Sequence, residues 1–280
     1  MKAAAFEYVR AATLSDALRE FGDSATGVKP IAGSQSMGPM LNLRLARPSR
    51  VVDVSHVEEL RSVTVVGDVV RVGAAITHAE IEDGKYELLR NGFMQYVASG
   101  IAYRAIRNRG TIGGSLAHAD PAADWPLALS ALDARLELAK AGSTRQVRAS
   151  EFMLGAFTTL LEDGEIISAV LLPKIGATLR WGYYKLCRKT GEFAHASAAA
   201  TFDAQTGLAR VVLGALDGPP TALDSLAQSI AKQGPGAATP EAIAAGVANA
   251  MPNADAIDRS MHAATVERCL AQAFGSSARQ

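Results

Sequence analysis

The sequence predicts an α+β protein of two parts, on three observations. In the first 55 residues short apolar runs alternate with helix-like segments. Between residues 56 and 175 apolar runs meet in pairs across turn dipeptides, as β-hairpins do. Beyond residue 175 three strand-like runs precede three helix-like ones, the order of a separate α+β unit. The boundaries that follow are 1–175, with parts of about 1–55 and 56–175, and 176–280. A length of 280 residues accommodates this division.

Each element has a local reason. Residues 6–9 read as a strand. Thr13 caps a helix running to about residue 21, with Asp16 at its third position and Gly22 just past its end. Residues 28–31 form a short strand, and residues 36–45 start a helix that tolerates Pro39 in its first turn. Residues 51–54, Val-Val-Asp-Val, are a further strand. Residues 63–66 and 69–72 flank Gly67-Asp68, a two-residue hairpin turn. Thr77 caps a helix toward Glu82, and residues 86–98 read as another. From Arg107 to Pro121 glycine and polar residues are too dense for a regular element, so this stretch reads as a functional loop.

Residues 124–132 are helical. Residues 135–140 and 145–148 form a second hairpin around Gly142-Ser143, and residues 165–172 a strand closed by Pro173. Residues 179–187, 195–202 and 208–216 then read as three antiparallel strands, the last two joined by a turn-rich loop. Helices follow at 222–232, 240–250 and 263–274, with a flexible link at 233–239.

Composition narrows the function. Hydrophobic residues make up 49% and charged residues 20%, as in a soluble globular protein whose core needs no disulfide or metal. The 28 basic and 28 acidic side chains cancel, which argues against a nucleic-acid partner. Cys187 and Cys269 stand far apart without a C-x-x-C pair, which argues against a zinc, redox or iron–sulfur site, and they read as buried thiols rather than as a single disulfide. Glu7 and Arg10 interrupt any apolar leader, and no run of about 18 apolar residues occurs, so the expected location is the cytoplasm.

Two glycine-bearing loops carry the chemistry. The first is Ile31-Ala32-Gly33-Ser34-Gln35-Ser36, between a strand and a helix start. Backbone N–H groups and small hydroxyls there suit a phosphate, and an ordinary strand-to-helix turn is the competing reading. No G-x-G-x-x-G, Gly-Lys-Ser/Thr or G-x-S-x-G is present, so it is not a Rossmann, P-loop or hydrolase motif. The second is Thr111-Ile112-Gly113-Gly114-Ser115, preceded by Arg107 and Arg109. Those arginines either neutralise phosphate or brace the loop on nearby acids. His118 reads as a hydrogen-bonding loop residue. Asp120 caps the turn before Pro121 in the simplest reading. Asp124 is either a helix N-cap or an acceptor from ribose or ribityl hydroxyls.

With these residues in place the chain resembles the FAD-binding medium subunit of molybdenum hydroxylases, the carbon monoxide dehydrogenase and xanthine dehydrogenase group. The family's Ala-Gly-Gly-x-Ser with following Leu and Arg is similar to residues 32–36 with Leu41, Leu43 and Arg44. Its Ile-Arg-Asn-x-Gly-Thr-Ile-Gly-Gly-Asn is similar to residues 106–115, and Asp-Pro-x-x-Asp to Asp120, Pro121 and Asp124. The likeness extends through Glu165-Ile166-Ile167 to Tyr184-Lys185. The chain departs at Ser34, a glycine in the family, at Ser115, an asparagine, and at Tyr103, where a histidine is common. Met261-His262-Ala263-Ala264 replaces a frequent Gly-Ser-x-x-Tyr-Arg run.

The resemblance implies a two-part FAD-binding domain of the vanillyl-alcohol-oxidase or PCMH type, then a C-terminal domain of the carbon monoxide dehydrogenase flavoprotein type. It implies that both glycine loops hold the FAD pyrophosphate and adjoining ribityl region, that Asp124 contacts the cofactor, that Ile167 packs near adenine and that Lys185 lies near the flavin end. By themselves Ile167 is strand core and Lys185 a solvated strand lysine. The implied partners are a small subunit with two [2Fe-2S] clusters and a large molybdenum-cofactor subunit, assembled as a dimer of heterotrimers. Electrons pass from the clusters to FAD and on to an external acceptor, so no general acid or base is expected in this chain. Two rival readings stand beside this one: a free-standing oxidase of the vanillyl-alcohol type, and a ligand-free α/β scaffold.

Overall fold

The chain was analysed as a computed structural model, which describes residues 2–22 and 27–275. Three sheets carry it, with a two-stranded ribbon at Met153–Gly155 and Thr158–Thr159 beside them. The first sheet is parallel, with Arg50–Asp53 between Glu7–Arg10 and Val28–Ile31. Its first crossover helix, Leu14–Gly22, turns Ala17, Leu18 and Phe21 inward, and Thr13 Oγ1 accepts from the Asp16 N–H at its start. Pro30 is tolerated because its strand lies at the sheet edge, where a missing N–H breaks no ladder.

The second sheet is antiparallel and takes Ile166–Pro173 as its central strand, between the hairpins Val63–Val66/Val69–Gly73 and Arg135–Lys140/Ser143–Arg148. Seven of that strand's eight residues are buried, so it reads as a continuous apolar run rather than an alternating one. The third sheet has four antiparallel strands instead of the expected three: Arg180–Leu186, Ala196–Asp203, Leu208–Gly214 and Thr221–Ala222. The added strand is two residues long, too short to carry a periodicity.

The alternating residues of this third sheet face two different cores. Tyr183, Ala199 and Val212 join Phe93, Trp125, Leu136 and Val170 in the largest apolar cluster. Ala198, Ala200, Val211 and Leu213 face the other way, onto Leu226, Val247 and Val266 of the C-terminal helices Asp224–Gln233, Pro240–Ala250 and Ala256–Phe274. The main core therefore draws on both sides of residue 175. Both cysteines are free thiols, Cys269 buried and Cys187 half-buried.

Other expectations change at helix ends. Residues 86–98 split into a 3-10 turn, Glu87–Leu89, and a helix, Gly92–Ser99, because the Asn91 side chain caps the second by accepting from the Met94 N–H. The first loop's helix shortens to Met37–Asn42. The last helix starts at Ala256, seven residues early, where Asp255 caps it at the Asp258 N–H. The 233–239 link contains a 3-10 turn, Pro235–Ala237. Most consequentially, the stretch from Arg107 to Pro121 is not an irregular loop. It contains the helix Ile112–His118, nucleated by Thr111, whose hydroxyl accepts from the Gly114 N–H.

Candidate cofactor-binding site

The first loop leaves the C-terminal end of Val28–Ile31, where the Val54 N–H donates to Ile31 O. Ser34 then enters the left-handed region at φ 64° and reverses the chain, and its carbonyl accepts from the Gly38 N–H. The Gln35 side chain donates back to Gly33 O at 2.8 Å and braces the turn from within. The backbone N–H groups of Gly33, Ser34, Gln35 and Ser36 meet no protein acceptor among the described residues, and Ser36 makes no side-chain cap. All four residues are half-buried. The loop is thus a row of free donors in a sheltered turn, with two hydroxyls added. The six-residue helix behind it contributes little beyond position.

The second loop is differently engaged. The Ile112 N–H donates to Ile76 O at 3.0 Å, the Gly113 N–H to Ala74 O at 2.9 Å and the Gly114 N–H to Thr111 Oγ1 at 3.0 Å. Those donors are spent within the protein. Gly113 is glycine because a Cβ there would lie 2.5 Å from the Ala74 Cβ. The hydroxyl of Ser115 is half-buried and bonds to nothing among the described residues. Asp120 makes the simple turn, accepting from the Ala122 N–H at 2.9 Å. His118 packs at a tilt against Phe157, with ring centroids 5.1 Å apart.

The two loops touch. A Cβ on Gly33 would fall 2.0 Å from Arg109 O and 2.8 Å from Gly110 Cα. The two arginines separate here. Arg107 grips both oxygens of Glu82 at 2.7 and 2.9 Å and donates to the carbonyls of Ile101 and Ala102, so it braces the loop. Arg109 is exposed beside Gly33 and pairs with no carboxylate among the described residues. A row of free N–H groups, with an arginine on the adjoining backbone segment, is a donor set suited to a diphosphate.

Asp124 and Lys185, separated by 61 positions, form a buried ion pair at 3.0 Å. The Tyr183 hydroxyl donates to Asp124 Oδ1 at 2.6 Å, and Lys185 Nζ also reaches Gly100 O at 3.2 Å. Burial pushes the Asp124 carboxyl up, while Lys185 and the tyrosine hydroxyl pull it back. Burial also raises Tyr183 well above the ordinary phenol range, with Asp124 adding to it. An ion pair this deep needs these extra bonds, because desolvation of both charges offsets much of their attraction. Asp124 is therefore the partner of Lys185, and its role is not that of a helix N-cap, since Ala123 occupies the cap.

Ile167 is core, beside the bulge that displaces Ser168 between Ile167 and Ala169. The Ser168 carbonyl accepts from the Ala74 N–H, and Ala74 is the residue on which Gly113 rests. The structure so brings Gly33 to the second loop, Ile167 to its underside and Asp124 to Lys185. Three contributors escape a reading of the sequence. Tyr183 shares a strand face with Lys185 through the two-residue period, a signal that was available. His78 and Trp125 are tied by an indole N–H donated to Nδ1 at 3.0 Å, and nothing local marks that pair.

A family model described as the FAD-binding domain in molybdopterin dehydrogenase matches residues 4–175. The 6-hydroxypseudooxynicotine dehydrogenase complex subunit alpha of Paenarthrobacter nicotinovorans is 35% identical over 225 residues, 80% of this chain and 76% of the relative. The carbon monoxide dehydrogenase medium chain of Hydrogenophaga pseudoflava is 34% identical, over 69% of this chain and 68% of its own. Among solved structures, a chain of quinoline 2-oxidoreductase from Pseudomonas putida 86 matches with a TM-score of 0.86 at 30% identity, covering 98% of both chains.

Proposed function

The chain belongs to the family of FAD-binding domains of molybdopterin dehydrogenases, and from that premise we propose that it is the electron-transfer flavoprotein subunit of a multi-subunit molybdenum hydroxylase. Relatives named as medium chains or subunits of dehydrogenases and hydroxylases make it an oxidoreductase component that works with partner subunits. In this reading the partners are a small iron–sulfur subunit and a large subunit carrying the molybdenum cofactor. The assembly is a dimer of heterotrimers in the cytoplasm. No helix among the described residues is long and apolar enough to cross a membrane.

The observation that carries the reading is the first loop: four half-buried N–H groups free of described acceptors, packed against the Arg109 and Gly110 backbone, within a chain of this family. FAD, when bound, supplies the ability to accept electrons singly and release them in pairs. Ala32 to Ser36 and Arg109 hold its diphosphate. Thr111 to Ser115 follow the Arg109–Gly110 segment that abuts the first loop, with the Ser115 hydroxyl as a further donor, and Ile31 and Asp120 flank the two turns. Ile167 backs the adenine end, and the Asp124–Lys185 pair stands toward the ribityl and flavin end. These residues bind and orient, and none moves a proton in the reaction. The division into 1–175 and 176–280 is retained as two sequence units that share a core.

A stand-alone oxidase would act without partners. The test is an absorption spectrum of the chain alone and of the complex purified with its native partners. Flavin bands in both, with iron–sulfur absorbance only in the complex, are the expected result. A complex devoid of flavin overturns the reading.

A further inference from the structure

We propose that His78 is a positioning residue for the cofactor, its ring setting the separation of the two glycine loops and tying that separation to the helix that carries Asp124. The inference rests on the reading of the chain as an FAD subunit.

The geometry is a chain of contacts through three residues. His78 opens the helix His78–Glu82, and its N–H donates to Gly110 O at 2.9 Å. Its ring lies against the same residue: a Cβ on Gly110 would sit 2.8 Å from His78 Nε2 and 2.9 Å from Cδ2. A Cβ on Gly33 would in turn sit 2.8 Å from Gly110 Cα. Gly110 thus touches both the imidazole and the first loop, and neither contact leaves room for a methyl group. Any change in the height of the ring passes through Gly110 to Gly33 and the free N–H groups that follow it.

The ring is itself locked. Trp125 donates its indole N–H to His78 Nδ1 at 3.0 Å, so Nδ1 is unprotonated and the ring proton is on Nε2. Trp125 is fully buried and is the neighbour of Asp124, whose carboxylate is fixed by Lys185 and Tyr183. Burial, with Arg107 nearby, pushes His78 down to about 3, so the imidazole stays neutral and does not swing toward a counter-ion. One rigid side chain therefore connects the diphosphate end of the proposed site to the end that holds the buried ion pair.

The test is FAD affinity of the full chain, by flavin fluorescence titration, with thermal unfolding followed in parallel. His78→Asn keeps an acceptor for Trp125 but removes the ring edge at Gly110, and Gly110→Ala drives a methyl against that edge. Each alone is expected to weaken FAD about tenfold, the scale of one misplaced contact of 1–2 kcal/mol. The double variant H78N/G110A is expected to bind more tightly than G110A, because the methyl occupies the space the ring vacated. Losses that multiply in the double variant, or single variants that bind as the parent does, overturn the proposal. A mere stability role is excluded when affinity recovers while the unfolding temperature does not. A parent chain that binds no FAD, alone or in its complex, refutes the flavoprotein reading instead.

Discussion

Ser34 carries the first loop through φ 64°, a conformation that costs a residue with a Cβ about 1–2 kcal/mol and glycine nearly nothing. Its place in the resembled motif belongs to glycine, and the dihedral supplies the reason. Ser34→Gly is expected to raise the stability of the chain by about 1 kcal/mol, read as a higher urea midpoint with an unchanged slope. An unchanged or lower midpoint would mean that the hydroxyl contributes more than the strain removes. His78 makes the second prediction at this scale. Its folded value of about 3 lies below the ordinary 6.5, so the unfolded chain takes up a proton that the native chain does not. Stability from this group is complete above pH 6.5 and declines as pH falls toward 3, with a slope approaching about 1.4 kcal/mol per pH unit. Urea midpoints measured across that range for the parent and for His78→Asn should converge as the pH drops. Parallel curves would show that the imidazole is not buried neutral.

At the scale of elements, the two glycine loops are one object. Gly33 approaches the Arg109 carbonyl so closely that a methyl group would lie 2.0 Å from it, and the obstacle is backbone, which cannot rotate away. Gly33→Ala must therefore push the loops apart. The expected cost is about 1–3 kcal/mol of stability, together with a loss of FAD affinity of at least about tenfold. Calorimetry and a fluorescence titration check both, and an alanine variant with parental affinity would show that the contact is slack. The loops were legible in the sequence as glycine and hydroxyl clusters. Their unequal use was not, because the N–H groups of Ile112 and Gly113 are consumed by Ile76 and Ala74, over 35 residues earlier in the chain. The same long-range bonds turn the stretch after Arg109 into a capped helix where its glycines alone argue for a loop.

For the molecule as a whole, residue 175 divides the sequence without dividing the core. Tyr183, Ala199 and Val212 complete the cluster built around Phe93, Trp125 and Val170, and Tyr183 and Lys185 are what hold Asp124 in place. A chain ended at residue 175 loses one wall of that core and leaves the Asp124 carboxylate without its cation. Loss of that apolar wall and of the ion pair removes a large share of a domain's marginal stability. The expectation is a fragment with no cooperative thermal transition and no bound flavin. A fragment that melts sharply and binds FAD would show that the third sheet is an addition rather than a wall.

The sequence by itself determined what short-range physics governs. Hairpins follow from their turn dipeptides and the helix after Thr13 from its cap, while glycine and serine between a strand and a helix motivate the phosphate-binding role proposed for residues 32–36. It also carried enough of a family motif to name FAD as the cofactor. The tertiary structure alone decided which donors stay free, that Arg107 braces on Glu82 while Arg109 pairs with no carboxylate among the described residues, and that Asp124 meets Lys185. It alone set Ile166–Pro173 between two hairpins, the nearer edge of one lying more than 90 residues before it. Each of these is a pairing between distant segments, fixed by burial and by the saturation of hydrogen bonds, and neither quantity is a property of any local stretch of chain.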